Sequence, residues 1–295
     1  MTLPWRWPPN RWVLGARPRT LPAAAVPVAV GTAAAVGQGP ITWWRAGAAL
    51  VVAVAIQVAT NYLNDSADGV RGVDDRRTGP TRLVASGLAS ARSVQLAAAT
   101  AAGVAAVGGL ALAAAVGPEV VVVGLACFAA GYGYTAGPWP YGYAGLGELF
   151  VFVFFGLVAT VGSAYVQLDS VDGLAVLVSV PVGFLATALL VVNNLRDIPG
   201  DTAAGKRTLA VRMGASPTRA LYVTLVGAAF LYVPLVALAR PGALLAVLAL
   251  PAGSRPVRAV AAGTSGVGLV AVLGDTGRLQ LVYGLLLAAG LAYSG

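Results

Sequence analysis

Residues 43–76 read WWRAGAALVVAVAIQVATNYLNDSADGVRGVDDR. From Trp43 to Thr60 the only charge is Arg45, close to the start. An apolar run of about 20 residues matches a bilayer core about 30 Å thick. Backbone inside lipid must satisfy its own hydrogen bonds, so such a run must be helical. The stretch therefore predicts a membrane-spanning helix over 43–64. Its foot then turns acidic without losing the helical spacing. If the helix runs on to residue 68, Asn61, Asn64, Asp65 and Asp68 stand at i, i+3, i+4 and i+7. They share one face, and carboxylates stacked on one face need something positive between them.

The rest of the chain repeats the apolar theme. Of 295 residues, 58% are hydrophobic and only 10% charged, against about 25% charged in a soluble domain. Lipid must cover most of the surface. Apolar runs bounded by Gly, Pro and charge predict spans at 20–37, 43–64, 91–116, 119–135, 146–166, 173–195, 218–239, 242–253 and 276–294. The expected fold is all-α, a single polytopic membrane domain over 1–295 with about nine transmembrane helices and an N-terminal segment, 1–19, ahead of them. The apolar run after the basic start could serve as a signal peptide, but further crossings follow at once, so it reads as a retained first helix. Arg240-Pro241-Gly242 reads as a tight turn. Segment 255–273, with Arg255, Arg258 and three glycines, reads as an interfacial or re-entrant piece, with a tenth crossing as the alternative.

Charge sets the orientation. With the N-terminus placed in the cytoplasm, the inside segments are 1–19, 65–90, 136–145, 196–217 and 254–275. With their flanks they hold 17 of the 19 Lys and Arg residues, leaving only Arg45 and Arg240 outside. That asymmetry follows the positive-inside rule, and it predicts a multi-pass protein of the cell membrane. Trp5, Trp7, Trp12, Trp43 and Trp44 read as interface anchors.

The chemistry is narrowed by what is missing. There is no histidine and only one cysteine, Cys127, in an apolar run. Imidazole catalysis, His-ligated metals, zinc clusters and an intrachain disulfide are excluded. A bound metal must take oxygen ligands, as magnesium and calcium do. Only eleven residues are acidic, and six of them fall in two inside loops. The first holds Asp65, Asp68, Asp74 and Asp75. The second reads Asn193-Asn194-Leu195-Arg196-Asp197-Ile198-Pro199-Gly200-Asp201, then Gly205-Lys206-Arg207-Thr208. Pro199 and Gly200 are expected to break the helix before Asp201. Asn64 to Asp68 matches Asn193 to Asp197 in spacing, and Gly79-Pro80-Thr81-Arg82-Leu83 echoes Gly205-Lys206-Arg207-Thr208-Leu209. This faint duplication suggests one site shared between two halves. Polar groups at membrane depth are costly and point to function. Acids alone suggest a cation site and bases alone an anion site; the mixture suggests a metal–diphosphate complex.

Here the chain resembles the UbiA-type intramembrane prenyltransferases, which are all-helical and carry two Asp-rich motifs. Asn64, Asp65 and Asp68 fit the first motif, Asn-Asp-x-x-Asp-x-x-x-Asp, with Gly72 in its last position and Asp74 six after Asp68. That departure resembles the naphthoate-accepting branch, Asn-Asp-x-x-Asp-Gly-Val-Arg-Gly-x-Asp. Asn194, Asp197, Asp201 and Lys206 fit the second motif and the basic stretch after it. Ala16-Arg17-Pro18-Arg19-Thr20-Leu21-Pro22, Tyr134-Thr135-Ala136-Gly137-Pro138, Tyr141-Gly142-Tyr143, Gly145-Leu146-Gly147-Glu148 and Gly277-Arg278-Leu279-Gln280-Leu281 add to the likeness.

The resemblance implies a reaction. A polyprenyl diphosphate passes its prenyl group to an aromatic acceptor, in this branch 1,4-dihydroxy-2-naphthoate, with loss of carbon dioxide to give demethylmenaquinone. It implies Mg2+ as cofactor, held by Asp65, Asp68, Asp197 and Asp201, with Asp74 a further ligand. Asn64 and Asn194 support the metal or donate to phosphate. Lys206 and Arg82 are the expected diphosphate contacts, followed by Arg71 and Arg207. Tyr134 and Tyr141 offer aromatic faces to an allylic cation, or serve as interface anchors. Arg19 either pairs with the acceptor's carboxylate or marks topology. Glu148 either stabilises its helix N-terminus or enters the acceptor site. The expected partners are the two substrates and the lipid bilayer, with no nucleic acid; the oligomeric state stays open. An enzyme of the same type with another acceptor, such as a hydroxybenzoate, and a transporter are the competing readings.

Overall fold

The computed structural model describes residues 10–72 and 81–295 and is all-helical over them. After a short helix α1 (Arg11–Ala16), nine apolar segments follow: α2 (Pro22–Ala35), α3 (Trp43–Val70), α4 (Ala91–Val116), α5 (Glu119–Thr135), α6 (Gly147–Leu168), α7 (Gly173–Ala203), α9 (Ala215–Ala239), α10 (Pro241–Ala261) and α11 (Gly268–Tyr293). A single turn, α8 (Leu209–Met213), sits between α7 and α9. Seven are long and apolar enough to cross a membrane; α2 and α5 are the shorter two. Nine segments agree with the number that the apolar runs predict.

Burial shows which helices face lipid. In α7, 72% of the most apolar window is buried, against 11% in α4. α7 is thus the axis of the bundle, and α2, α6, α9 and α11 pack around it. α3 and α4 form a packed hairpin on one side, with α5 against both. Beyond Arg92, Gln95 and Thr100 in its first ten residues, the exposed residues of α4 are Leu, Val, Ala and Gly, a surface that suits hydrocarbon rather than water.

The crossings alternate, and contacts tie each end together. At one end Arg45 donates to Val166 O at 3.0 Å and Ala115 O at 3.1 Å and pairs with Asp169. There too Arg240 donates to Val36 O at 2.9 Å. The opposite end gathers the connections 17–21, 136–146, 204–214 and 262–267. Among the described residues, Arg45 and Arg240 are the only Lys or Arg at the first end.

Two expectations need correction. Residues 255–273 do not form an element of their own, and there is no tenth crossing among the described residues. α10 runs unbroken to Ala261, and α11 starts at Gly268. The first nine residues of α10, Pro241–Ala249, are 3-10 helix. That form rises about 2.0 Å per residue against 1.5 Å, so a short apolar run reaches further. The second half is two-faced: Val260 is buried, while Arg255 reaches Asp275 of α11 at 3.3 Å. The second correction concerns α7, which continues through Pro199 and Gly200 to Ala203. Proline removes one intrahelical bond, but Ala204 N donates to Gly200 O and Lys206 N to Asp201 O, and these close the last turn. Asp197 and Asp201 therefore share a face after all.

α10 and α11 cross with almost no space between them. A Cβ on Gly290 would lie 1.9 Å from Gly242 O. Gly290→Ala should force the two helices apart and cost about 1–3 kcal/mol, read as a lower melting temperature in detergent. Gly227→Ala, where a Cβ meets nothing within 4 Å, should leave it unchanged or slightly raised.

Candidate active site

The helix feet converge on one chamber of about 800 Å³. Its polar end lies at the end of the molecule that carries most of the arginines. From α3 come Asn61, Asn64 and Asp68; from α7 come Asn193, Asn194, Arg196, Asp197 and Asp201. Arg82, Lys206, Tyr134, Tyr141, Tyr143, Arg17 and Arg19 complete that end. The other end is apolar and runs between α3, α4, α5 and α6 past Ile56, Leu112, Cys127, Phe154 and Val166. Val166 and Leu112 stand close to the opposite face of the bundle, so the apolar channel follows most of the membrane's depth.

The polar end is an ordered network. Lys206 Nζ meets Asp68 Oδ1 at 3.0 Å, and both side chains are over nine-tenths buried. Tyr143 donates its hydroxyl to the same Asp68 oxygen. The Lys206 ammonium also rides 4.3 Å over the Tyr143 ring, a cation–π contact that holds it in place. Burial, and the adjacent Asp68 carboxylate, push the Tyr143 phenol well above its ordinary pKa. It therefore stays a protonated donor. Burial raises Tyr141 as well; its hydroxyl donates to Ala130 O at 2.8 Å, and its ring stacks on Phe150 with centroids 3.9 Å apart. Thr135 donates to Asn64 Oδ1.

The α7 foot is braced from two sides. Asn194 Nδ2 donates to Glu148 Oε1 at 2.9 Å. A carboxylate only accepts, so this bond fixes the amide with its nitrogen toward Glu148. Glu148 lies behind Asn194, outside the chamber wall. On the other side Arg196 grips Asp197 through Nε and Nη2, each at 2.8 Å, and reaches Asn193 Oδ1 at 2.9 Å.

Most of the expected residues meet here: Asn64, Asp68, Arg82, Tyr134, Tyr141, Asn194, Asp197, Asp201, Lys206 and Arg19 all line the chamber. Three do not. Asp65 is fully buried and turned aside: Oδ2 accepts Leu83 N–H at 2.9 Å and Oδ1 accepts Val84 N–H at 3.0 Å. It ties segment 81–86 to α3, and Gly69 completes the fit, since a Cβ there would lie 2.6 Å from Val84. Arg71 is exposed and donates to Thr135 O. Arg207 is exposed, and its backbone N–H meets Tyr143 O. Asp74 lies outside the described residues. Arg196 and Tyr143 stand inside quoted motifs, but the sequence reading assigned neither a role.

The donor set suits magnesium in one particular way. Among the described residues no three carboxylates close on one point. Mg2+ keeps several waters and usually takes one or two carboxylates plus substrate phosphates. Oxygens of Asp68, Asp197, Asp201, Asn64 and Asn194 around a shared chamber fit that habit, and the cationic Lys206 and Arg82 line the same chamber.

Comparison with known proteins agrees. The chain matches the UbiA prenyltransferase family over residues 24–261. It is 47% identical over 283 residues to the 1,4-dihydroxy-2-naphthoate octaprenyltransferase of Mycobacterium tuberculosis (strain ATCC 25618 / H37Rv), covering 96% of this chain and 97% of that protein. It is 34% identical over 222 residues to the protein of the same name from Escherichia coli (strain K12), covering 73% and 72%. A solved UbiA homolog from Archaeoglobus fulgidus bound to GPP and Mg2+ shares the fold, with TM-score 0.67, 17% identity and coverage of 95% and 100%.

Asp65→Asn should act on folding first. It can accept only one of the two N–H bonds, and leaving a buried donor unpaired costs about 1–3 kcal/mol. A melting temperature equal to wild type would contradict the anchor role.

Proposed function

Because the chain belongs to the UbiA prenyltransferase family, we propose that it transfers a polyprenyl group from its diphosphate to 1,4-dihydroxy-2-naphthoate, with release of carbon dioxide and diphosphate. One observation carries this reading. The Lys206–Asp68 pair joins the two motifs at the polar mouth of a channel that is otherwise apolar. A diphosphate head fits the mouth and an isoprenoid tail fits the channel.

The bookkeeping of the step is simple. The carbon–oxygen bond of the allylic diphosphate breaks, and both electrons leave with the diphosphate. The ring carbon that bears the acceptor's carboxylate supplies the pair for the new carbon–carbon bond. The carboxylate leaves as carbon dioxide and returns its bonding pair to the ring. The product is the quinol form of demethylmenaquinone, and no base has to take a proton. A chain without a single histidine is suited to such a reaction.

This chain's residues would act as follows. Asp68, Asp197 and Asp201, with Asn64 and Asn194, hold Mg2+, which supplies Lewis-acid neutralisation of the leaving group when bound. Lys206 and Arg82 contact the phosphates. Tyr143 positions Lys206 and Asp68. Tyr134, with Tyr141 edge-on at 5.6 Å, offers its ring face to the allylic cation. The apolar walls keep water from that cation. The arginine-rich end faces the cytoplasm, in line with the charge asymmetry.

Purified protein in detergent, given a polyprenyl diphosphate, magnesium and carboxyl-labelled dihydroxynaphthoate, should release labelled carbon dioxide and a prenylated naphthoquinol. 4-Hydroxybenzoate in place of the naphthoate should give no product. Asp201→Asn should lower turnover by at least about 10²-fold, the scale for removing one group that stabilises developing charge. Its melting temperature should stay within a few degrees of wild type. Full activity of that variant would remove Asp201 from the site.

Orientation has its own test. In a Cys127→Ala background, Ser170→Cys should react with an impermeant maleimide on intact cells. Ser265→Cys should react only after the cells are opened. Both residues are exposed at opposite ends of the bundle. The reverse labelling pattern would invert the topology.

A further inference from the structure

Arg196 is built in an unusual way. Its side chain is 1% exposed. Nε and Nη2 are used by Asp197 and Asn193, but Nη1 is buried without a hydrogen-bond partner. A buried charged donor left unmade is costly. The guanidinium is planar, so the two-point grip of Asp197 fixes where Nη1 points. The residue lines the chamber. A clamped, buried donor at a ligand cavity is a preorganised receptor for an oxyanion.

Its sidedness on α7 narrows the ligand. Leu189, Asn193 and Arg196 stand at i, i+4 and i+7 and form one stripe. Leu190, Asn194, Asp197 and Asp201 form the neighbouring stripe. Asn194 borders α6 through Glu148. Arg196 lies at the opposite border of the chamber wall, away from that pair. α7 also packs against α2 and α11, which contribute Ala23, Ala24 and Val270 to the chamber. Of the groups suited to a metal–diphosphate head, Asp201 stands on the other stripe, Asp68 on α3 and Lys206 in the connection after α7, while Asp197, also on the other stripe, is the one that Arg196 grips from its own side. Arg19, expected to meet the acceptor's carboxylate, is exposed, with its guanidinium 3.4 Å from Val270 O.

We infer that Arg196 Nη1 receives an oxyanion of the bound substrates, and that this oxyanion is the carboxylate of the aromatic acceptor. The inference rests on the acceptor reading above. A phosphate oxygen of the donor is the other source of the same chemistry, and the arms of the test separate the two.

Binding is measured by calorimetry on the full-length protein with three probes: 1-hydroxy-2-naphthoate, 1-naphthol, and pyrophosphate with magnesium. Arg196→Gln should weaken the carboxylated naphthalene about 10- to 100-fold, the scale of one charge-assisted hydrogen bond. It should leave 1-naphthol within twofold and pyrophosphate within threefold. Arg196→Lys should recover part of the loss, since charge returns without the fork. A loss confined to pyrophosphate would keep the oxyanion receptor but overturn its assignment to the acceptor. Unchanged affinity for both anions, or an equal loss for all three probes, would overturn the receptor itself. So would full recovery of naphthoate binding in the Arg196→Gln, Asp197→Asn double variant, which would reduce Arg196 to a neutraliser of Asp197. Failure of wild-type protein to bind the carboxylated naphthalene while still binding pyrophosphate would count against the acceptor reading alone.

Discussion

A carboxylate at the foot of a membrane helix has to be balanced where it stands. Water is scarce there, and an isolated buried charge is far costlier than a paired one. Asp68 meets this constraint with two partners drawn from distant parts of the chain, Tyr143 and Lys206. Lys206 in turn needs more than Asp68, and the Tyr143 ring supplies it. A helix foot and two connections are thereby locked into one arrangement. Removing Asp68 or Lys206 leaves a buried charge uncompensated, and removing Tyr143 takes a hydrogen bond and a ring face from the pair, so the geometry of the chamber's mouth and the stability of that end of the fold are the same problem.

The bundle around this lock divides labour by polarity. α7 is buried on almost all sides and can therefore present side chains at a fixed height and angle. α3 is joined to the connection after α7 by the Asp68–Lys206 pair, and segment 81–86 is tied back to α3 by the Asp65 bonds. Below the two feet the wall is mostly Val, Leu, Phe, Ala and Gly, with Gln57, Thr60 and Ser163 as its few polar side chains. An amphipathic ligand with a multiply charged head and a long hydrocarbon tail has one way to enter such a space. The tail's orientation then fixes which carbon sits beside the acidic rows.

Much of this was legible in the sequence, because bilayer thickness and backbone satisfaction leave few choices. Nine apolar runs could only be nine helices, and the alternation of arginine across them ordered the ends. The Asn64–Asp68 and Asn194–Asp201 rows were legible too, since polar residues that keep helical spacing at the end of an apolar run mark one face. What escaped depended on contacts that spacing does not encode. Asp65 sits at the edge of the row made by Asn61, Asn64 and Asp68. Whether it turns to the chamber or to a neighbouring loop is decided by the fold of residues 81–86, not by its own position. Pro199 read as a helix breaker because the bonds that rescue the last turn of α7 come from residues beyond it. The 3-10 half of α10 was hidden because its composition is that of any apolar helix.

Arg196 shows the same limit from the other direction. Next to Asp197 in sequence, it invites reading as one more basic residue of a cytoplasmic loop. Side chains at i and i+1 on a helix ordinarily point about 100° apart, so adjacency alone predicts no ion pair between them. The pair forms because the long guanidinium arm folds back around the helix surface to reach both Asp197 oxygens. That return path consumes one edge of the fork and leaves Nη1 buried without a partner. An arginine that only balanced charge could do so from the exposed surface, where Arg207 and Arg71 stand, without burying a donor. Its burial beside the cavity therefore argues for a ligand that completes it.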